Sequence, residues 1–148
     1  MRMRLVIQRV SSAAVRVAGE TVGAVGRGLL VLVGVERGDG TPAVVAAADK
    51  LTGLRLFEDA AGKMNLDAAA VGGAFLVVSQ FTLAGSIERG RRPSFDNAAP
   101  PEQAEPLVDA LVTALRQRGC QVATGRFRAR MEVELVNDGP VTLVADFP

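Results

Sequence analysis

The stretch VELVNDGPVTLVAD, residues 133–146, limits most sharply what this chain can fold into. Two apolar-rich runs read as strands. Asn-Asp-Gly between them reads as a hairpin turn, because these residues tolerate the positive φ of tight turns. Pro140 then stands where a returning strand needs an amide donor, and proline has none. Strand prolines commonly sit in trans at a sheet edge. A cis Gly139–Pro140 peptide, the rarer form, would point successive carbonyl oxygens one way and make a small rigid acceptor site. Composition does not choose between the two.

Upstream, RLVIQRV (4–10), AVRVAG (14–19) and LLVLVGV (29–35) read as strands, the last apolar without alternation and so buried on both faces. Thr41 as N-cap and Pro42 at the first helical position predict a helix. Val44, Val45, Ala48, Leu51 and Thr52 recur there at helical spacing. GGAFLVVSQFTL (72–83) reads as a buried strand with a polar end. The polar loop AGSIERGRRPSFDNAA leads to a second helix from about Pro101 to Arg118, striped by Leu107, Val108, Leu111, Val112 and Leu115. Gly119 is placed to stop it, while Pro106 inside it predicts a kink or a later start. From Phe127, alternation of Phe127, Ala129, Met131, Val133 and Leu135 against Arg128, Arg130, Glu132 and Glu134 predicts a strand. VTLVADF is expected to pair back as the last one. No repeat, low-complexity segment or linker divides residues 1–148, which points to a single α/β domain with mostly antiparallel or mixed pairing.

The chain has no histidine. That removes Ser-His-Asp and Cys-His nucleophile systems and most zinc sites, so neither a metal nor a cofactor is expected. Cys120 cannot form an internal disulfide, which suits a reducing compartment, and reads as inert packing. Lys and Arg total 17 against 16 acidic residues. This balance excludes a globally basic nucleic-acid binder and leaves room for a local basic patch. MRMRLVIQRV lacks the features of a signal peptide, and no apolar run reaches membrane-spanning length. A soluble, cytoplasmic protein is the expectation. With an apolar surplus but no Trp or Tyr, the core must come from Val, Leu and Ala, and the surplus hints at a subunit interface.

Ser79-Gln80-Phe81-Thr82 ends the buried run. Such residues commonly satisfy loop amides; they could equally hold a polar substrate or a developing oxyanion with hydroxyl, amide and backbone donors. Arg89, Arg91 and Arg92 follow in a Gly- and Pro-containing loop. They are either a solvated surface or, beside a polar pocket, phosphate contacts suited to arginine's planar fork. Arg126, Arg128 and Arg130 could equally be the wet face of a strand, paired with Glu132 and Glu134 across or along it. Asp138 reads as a turn former, and Gly62-Lys63-Met64-Asn65 as a surface turn.

Taken together, IQRV, GKMNL, VVSQFTL, RGRRPSF and LVNDGPVT resemble the D-aminoacyl-tRNA deacylases, enzymes of tRNA editing, in the family's order from Gln8 to Thr142. The resemblance implies a single domain of layered mixed and antiparallel sheets with two main helices. Its Ser-Gln-x-Thr motif falls on Ser79, Gln80 and Thr82, and its Asn-x-Gly-Pro-x-Thr motif on Asn137, Gly139, Pro140 and Thr142. It further implies a cis Gly139–Pro140 entering the active site of the other subunit of a homodimer. There its carbonyls would take the substrate's amino group and leave no room for an L side chain, while achiral glycine would pass. The tRNA's terminal ribose hydroxyl would assist ester hydrolysis, in keeping with the missing histidine, with Thr82 in a positioning role. Arg9 would orient the Gly-Pro loop, and Phe81 and Met131 would line the pocket. Arg128, where the family pattern has a small residue, and Pro106 depart from it. The competing expectations are a non-catalytic RNA-binding homodimer, a trans-proline relative that edits L-alanyl-tRNA, and a small-molecule esterase.

Overall fold

A computed structural model describes residues 2–148. The two runs 4–10 and 14–19 merge into one long strand, β1 (Met3–Val17). It turns back into β2 (Glu20–Val25) through Ala18 and Gly19, both at positive φ, the geometry of a two-residue hairpin. β3 (Gly28–Gly34) pairs antiparallel with residues 4–10 of β1, and β2 with residues 13–17. Then come α1 (Thr41–Gly53) and a small hairpin of β4 (Phe57–Glu58) and β5 (Met64–Leu66). β6 (Ala74–Ser79) runs parallel to β3, α2 (Pro101–Gln117) follows, and β7 (Val122–Thr124) runs parallel to β6. β8 (Glu132–Phe147) lies antiparallel along almost all of β1. The pairing is mixed, as the sequence implied.

The sheet curls until β2 approaches β7. A side chain at Gly23 would collide with the carbonyl of Thr124, so glycine is what allows this near-closure into a barrel. Two apolar clusters result. Leu5, Ile7, Leu29, Val31, Phe75 and Val77 face α1 and α2, packing on Leu51, Leu111 and Leu115. Val10, Val15, Leu30, Leu76 and Val78 point the opposite way, into the barrel. This explains why β3 and β6 are apolar without alternation: each of their faces has a core of its own.

Several sequence expectations are corrected. Gly40, in extended backbone, is the N-cap of α1 and Thr41 is already helical, so no side chain caps the helix. Val45 is exposed, and the buried stripe runs through Ala43, Val44, Ala47, Ala48 and Leu51. The second helix starts at Pro101 and continues through Pro106. The hydrogen bond that proline forfeits would have gone to Glu102, an exposed first-turn residue whose carbonyl water can reach. Gly119 does terminate α2: its N–H donates to Arg116 and that of Cys120 to Leu115, the paired bonds of a glycine-capped helix end. The final strand begins at Glu132 and not at Phe127, because Arg128 adopts positive φ and breaks the extended run.

The largest correction concerns residues 133–146, which do not form a hairpin. Both runs pair with β1, one after the other, in the same direction. Gln8 faces Thr142 and Val10 faces Asn137, so residues 138–141 stand opposite Arg9 alone and loop out of the ladder as a large bulge. A partner strand as long as β1 offers both runs a place, which two short strands paired only to each other would not have. Within the bulge Pro140 has no ladder bond to lose.

Candidate active site

β6 delivers Ser79 and Gln80 to the rim of the sheet, where the Gln80 amide donates to the carbonyl of Val33 at 2.7 Å. The chain then closes into a short 3₁₀ turn, Phe81–Ala84. Phe81 and Thr82 head that turn, where N–H groups lack partners within the helix. Beside them opens a cavity of about 570 Å³, walled by Ser79, Gln80 and Phe81, by Phe95, and by Phe127 and Met131. Phe81 and Phe95 meet edge to face, ring centres 5.3 Å apart. The wall is thus apolar and aromatic with a few polar groups at one end, a common build for a small-molecule site.

Of the residues singled out from the sequence, Ser79, Gln80, Phe81 and Met131 are brought together here. Thr82 is exposed and outside the cavity wall, its hydroxyl accepting a hydrogen bond from the Gln80 side chain. Arg9, Asn137, Gly139 and Pro140 lie elsewhere in the same chain, at the β8 bulge. Phe95, Phe127 and Arg128 also line the cavity and were not expected to. Phe95 is the one aromatic in a polar loop, a signal that could have placed it. Phe127 was assigned to a strand face instead.

At the bulge, Arg9 is only 5% exposed. Its Nε donates to the Asp138 carbonyl at 3.0 Å and its Nη1 to the Leu56 carbonyl at 2.6 Å. The carboxylate of Asp138 is 3.7 Å away. Asn137 closes the other side: Oδ1 accepts from the Val141 amide at 3.2 Å, and Nδ2 donates to Thr142 Oγ1 at 2.9 Å. Gly139 has φ +121°, and a side chain there would run into the Arg9 guanidinium. The Gly139–Pro140 peptide is cis, and both residues are exposed.

Among the described residues, no Asp, Glu, His or Lys lines the cavity to act as a base. Burial pushes the Cys120 thiol above its usual range, leaving less thiolate at neutral pH. Among the described residues no group of three His, Cys, Asp or Glu side chains could hold a metal ion, and no helix is long and apolar enough to cross a membrane.

Residues 6–146 match the sequence profile of a family described as D-Tyr-tRNA(Tyr) deacylase. A D-aminoacyl-tRNA deacylase of Anaeromyxobacter dehalogenans is 62% identical over 144 residues, 97% of each chain. One from Geobacter sulfurreducens is 58% identical over 144 residues, covering 97% of this chain and 95% of that one. A solved structure named c-Myc DNA Unwinding Element Binding Protein superposes with a TM-score of 0.92 at 38% identity, over 98% of this chain and 99% of the other.

Proposed function

The chain belongs to the D-Tyr-tRNA(Tyr) deacylase family, whose members hydrolyse aminoacyl esters, and from that premise we propose how this member works. Its substrate is D-aminoacyl-tRNA, and glycyl-tRNA also passes. Water attacks the ester carbonyl carbon, the bond to the tRNA's terminal ribose oxygen breaks, and that oxygen takes up a proton. The products are the free amino acid and tRNA.

The observation that carries this reading is a substrate-sized cavity with polar groups at one end and no nucleophile–base pair beside it. Hydrolysis then depends on stabilising charge and on help from the substrate. The amides of Phe81 and Thr82 are the donors for the oxyanion. Ser79 and Gln80 orient the ester, Thr82 holds Gln80, and the neighbouring ribose hydroxyl positions the water by hydrogen bonding. Phe81 and Met131 enclose the amino acid.

Gly139 and Pro140 serve the active site of a second copy in a two-fold dimer. Two facts support this. None of residues 137–142 lines the cavity of its own chain, and the bulge is flanked on β8 by the exposed apolar residues Val136, Leu143 and Val144, which favour burial against a partner. Their carbonyls accept hydrogen bonds from the substrate's ammonium and leave no volume for an L side chain. Arg9 and Asn137 fix them in place.

The test is ester loss from D-Tyr-tRNA, L-Tyr-tRNA, Gly-tRNA and D-Tyr-tRNA ending in 2′-deoxyadenosine. Fast loss from the first and third, with slow loss from the others, is expected. Equal rates for ribo and deoxy substrates would overturn substrate assistance, and hydrolysis of the L-ester would overturn rejection. A monomer with full activity would sink the dimer. A second reading, a nucleic-acid-binding dimer without catalysis, draws on the name of the similar solved structure. It requires that D-Tyr-tRNA be bound and left intact.

A further inference from the structure

Two loops contribute residues to the cavity wall, and both are basic. The first, residues 85–97, contributes Phe95 to the wall and carries Arg89, Arg91 and Arg92. Its ends are tied by reciprocal backbone bonds between Ser86 and Ser94, at 2.7 and 2.8 Å. The second, residues 125–131, contributes Phe127, Arg128 and Met131 and carries Arg126 and Arg130 as well. All six arginines are exposed.

Five of the nine arginines elsewhere face a carboxylate, Arg27, Arg37, Arg55 and Arg116 being the others. Arg4, Arg16 and Arg118 each lie within 3.0 Å of a carboxylate. Of the six, Arg128 alone has an acidic partner, Glu102 at the limit of 4.0 Å. The distribution is equally uneven. These two loops hold six of the 17 basic residues and, in Glu88 and Asp96, two of the 16 acidic ones, leaving 11 basic against 14 acidic on the rest of the chain. A protein of nearly zero net charge therefore concentrates positive charge on the two loops that supply Phe95, Phe127, Arg128 and Met131 to the cavity wall. Arg128 adds a conformational cost, since a non-glycine residue at φ +65° is disfavoured by about 1–2 kcal/mol. Residues held this way cluster at functional sites.

We propose that the two loops form an arginine clamp for the phosphates of the unpaired 3′ strand of tRNA, with Arg126, Arg128 and Arg130 on one jaw and Arg89, Arg91 and Arg92 on the other. The proposal rests on the reading of the cavity as the site of ester cleavage. If the ester lies inside the cavity, the phosphates preceding the terminal nucleoside must pass its wall. Unpaired guanidinium forks suit them, and contact with backbone phosphates carries no demand on sequence.

The experiment is equilibrium binding of uncharged tRNA, which has no ester to cleave, across a salt series. The proteins are the wild type, an Arg89→Gln, Arg91→Gln, Arg92→Gln variant, an Arg126→Gln, Arg128→Gln, Arg130→Gln variant, and Arg55→Gln as an exposed charge control. Each triple variant should bind more weakly, with a salt slope shallower by about 2, the value for three lost single-strand phosphate contacts. Arg55→Gln should leave the slope within error of wild type, and tRNA trimmed of its unpaired 3′ nucleotides should no longer distinguish the triple variants from wild type. Unchanged slopes, an equal effect of Arg55→Gln, or persistence of the difference on trimmed tRNA would each overturn the clamp. Failure of the cleavage reading is separate: wild type would then show these binding results but leave D-Tyr-tRNA intact.

Discussion

The bulge at residues 137–142 and the loop at 86–94 both reach into solvent, but they are held in opposite ways. The bulge is bonded at nearly every point: Arg9 from below to Asp138, and Asn137 across to Val141 and Thr142. The loop is pinched at its base by the Ser86–Ser94 bonds and carries free guanidinium groups beyond them. A filter that rejects a side chain by lack of volume works only if its atoms stay within a fraction of an ångström. Charges that follow a flexible strand need reach more than position. The difference in bonding is what the two proposed tasks would require.

Arg9→Met should make the bulge as loose as the loop. It leaves the carbonyls of Asp138 and Leu56 without their charged donor inside a nearly closed site, at about 2–4 kcal/mol. Denaturant unfolding should show that loss, and hydrogen exchange at the Val141 amide should rise toward the rates in residues 86–94. An exchange rate unchanged at Val141 would mean that Asn137 alone holds the bulge.

A matched pair of substitutions sharpens the contrast. Gly139 and Gly90 both have positive φ, so alanine strains the backbone at each. Nothing lies within 4 Å of a side chain at Gly90, whereas one at Gly139 meets Arg9. Gly139→Ala should cost about 1–3 kcal/mol and reduce deacylation at least about tenfold. Gly90→Ala should cost about 1 kcal/mol and leave kcat alone. Equal losses would show that backbone strain, and not the Arg9 contact, sets the sensitivity of the bulge.

Much of this organisation is legible in the residues. The doubly apolar runs of β3 and β6 announce strands buried on both faces, and Gly119 announces the end of α2. The polar residues after β6 mark one end of the cavity. What misled was local chemistry overruled by long-range pairing. Asn-Asp-Gly is good hairpin sequence, yet β1 is long enough to hold both flanking runs, and that length is hidden by Ser11 and Ser12, which read as punctuation. Thr41 is a better cap by type than Gly40, but the extended backbone sits one residue earlier. Arg9 shows the limit from the other side. Family resemblance assigns it to the bulge, but its second bond, to Leu56, joins residues 47 apart in sequence, and no periodicity reports such a contact.

The smallest effect is expected just past the bulge, where β8 is secured by surface charge. Arg4 faces Asp146 in register and donates to its carboxylate at 2.8 Å. That bond holds the Asp146 carboxyl below its ordinary range, and the Arg4 guanidinium is correspondingly raised. A carboxyl depressed in the folded state adds stability that is complete above its unfolded pKa of about 3.9 and is lost as pH falls through the lower folded value. Asp146→Asn should therefore cost about 0.2–1 kcal/mol at neutral pH, the range of exposed pairs, and less in high salt. The gap between variant and wild type should narrow as pH falls below about 3.9 and close once it passes the lower folded value. Denaturant melts at pH 7 and pH 3 check this, and a gap as wide at pH 3 as at pH 7 would show that Asp146 acts through hydrogen bonding or packing and not through its charge. Deacylation should be unaffected. If it falls as it does for Gly139→Ala, strand pairing beyond the bulge, and not the bonds within it, positions the Gly-Pro carbonyls.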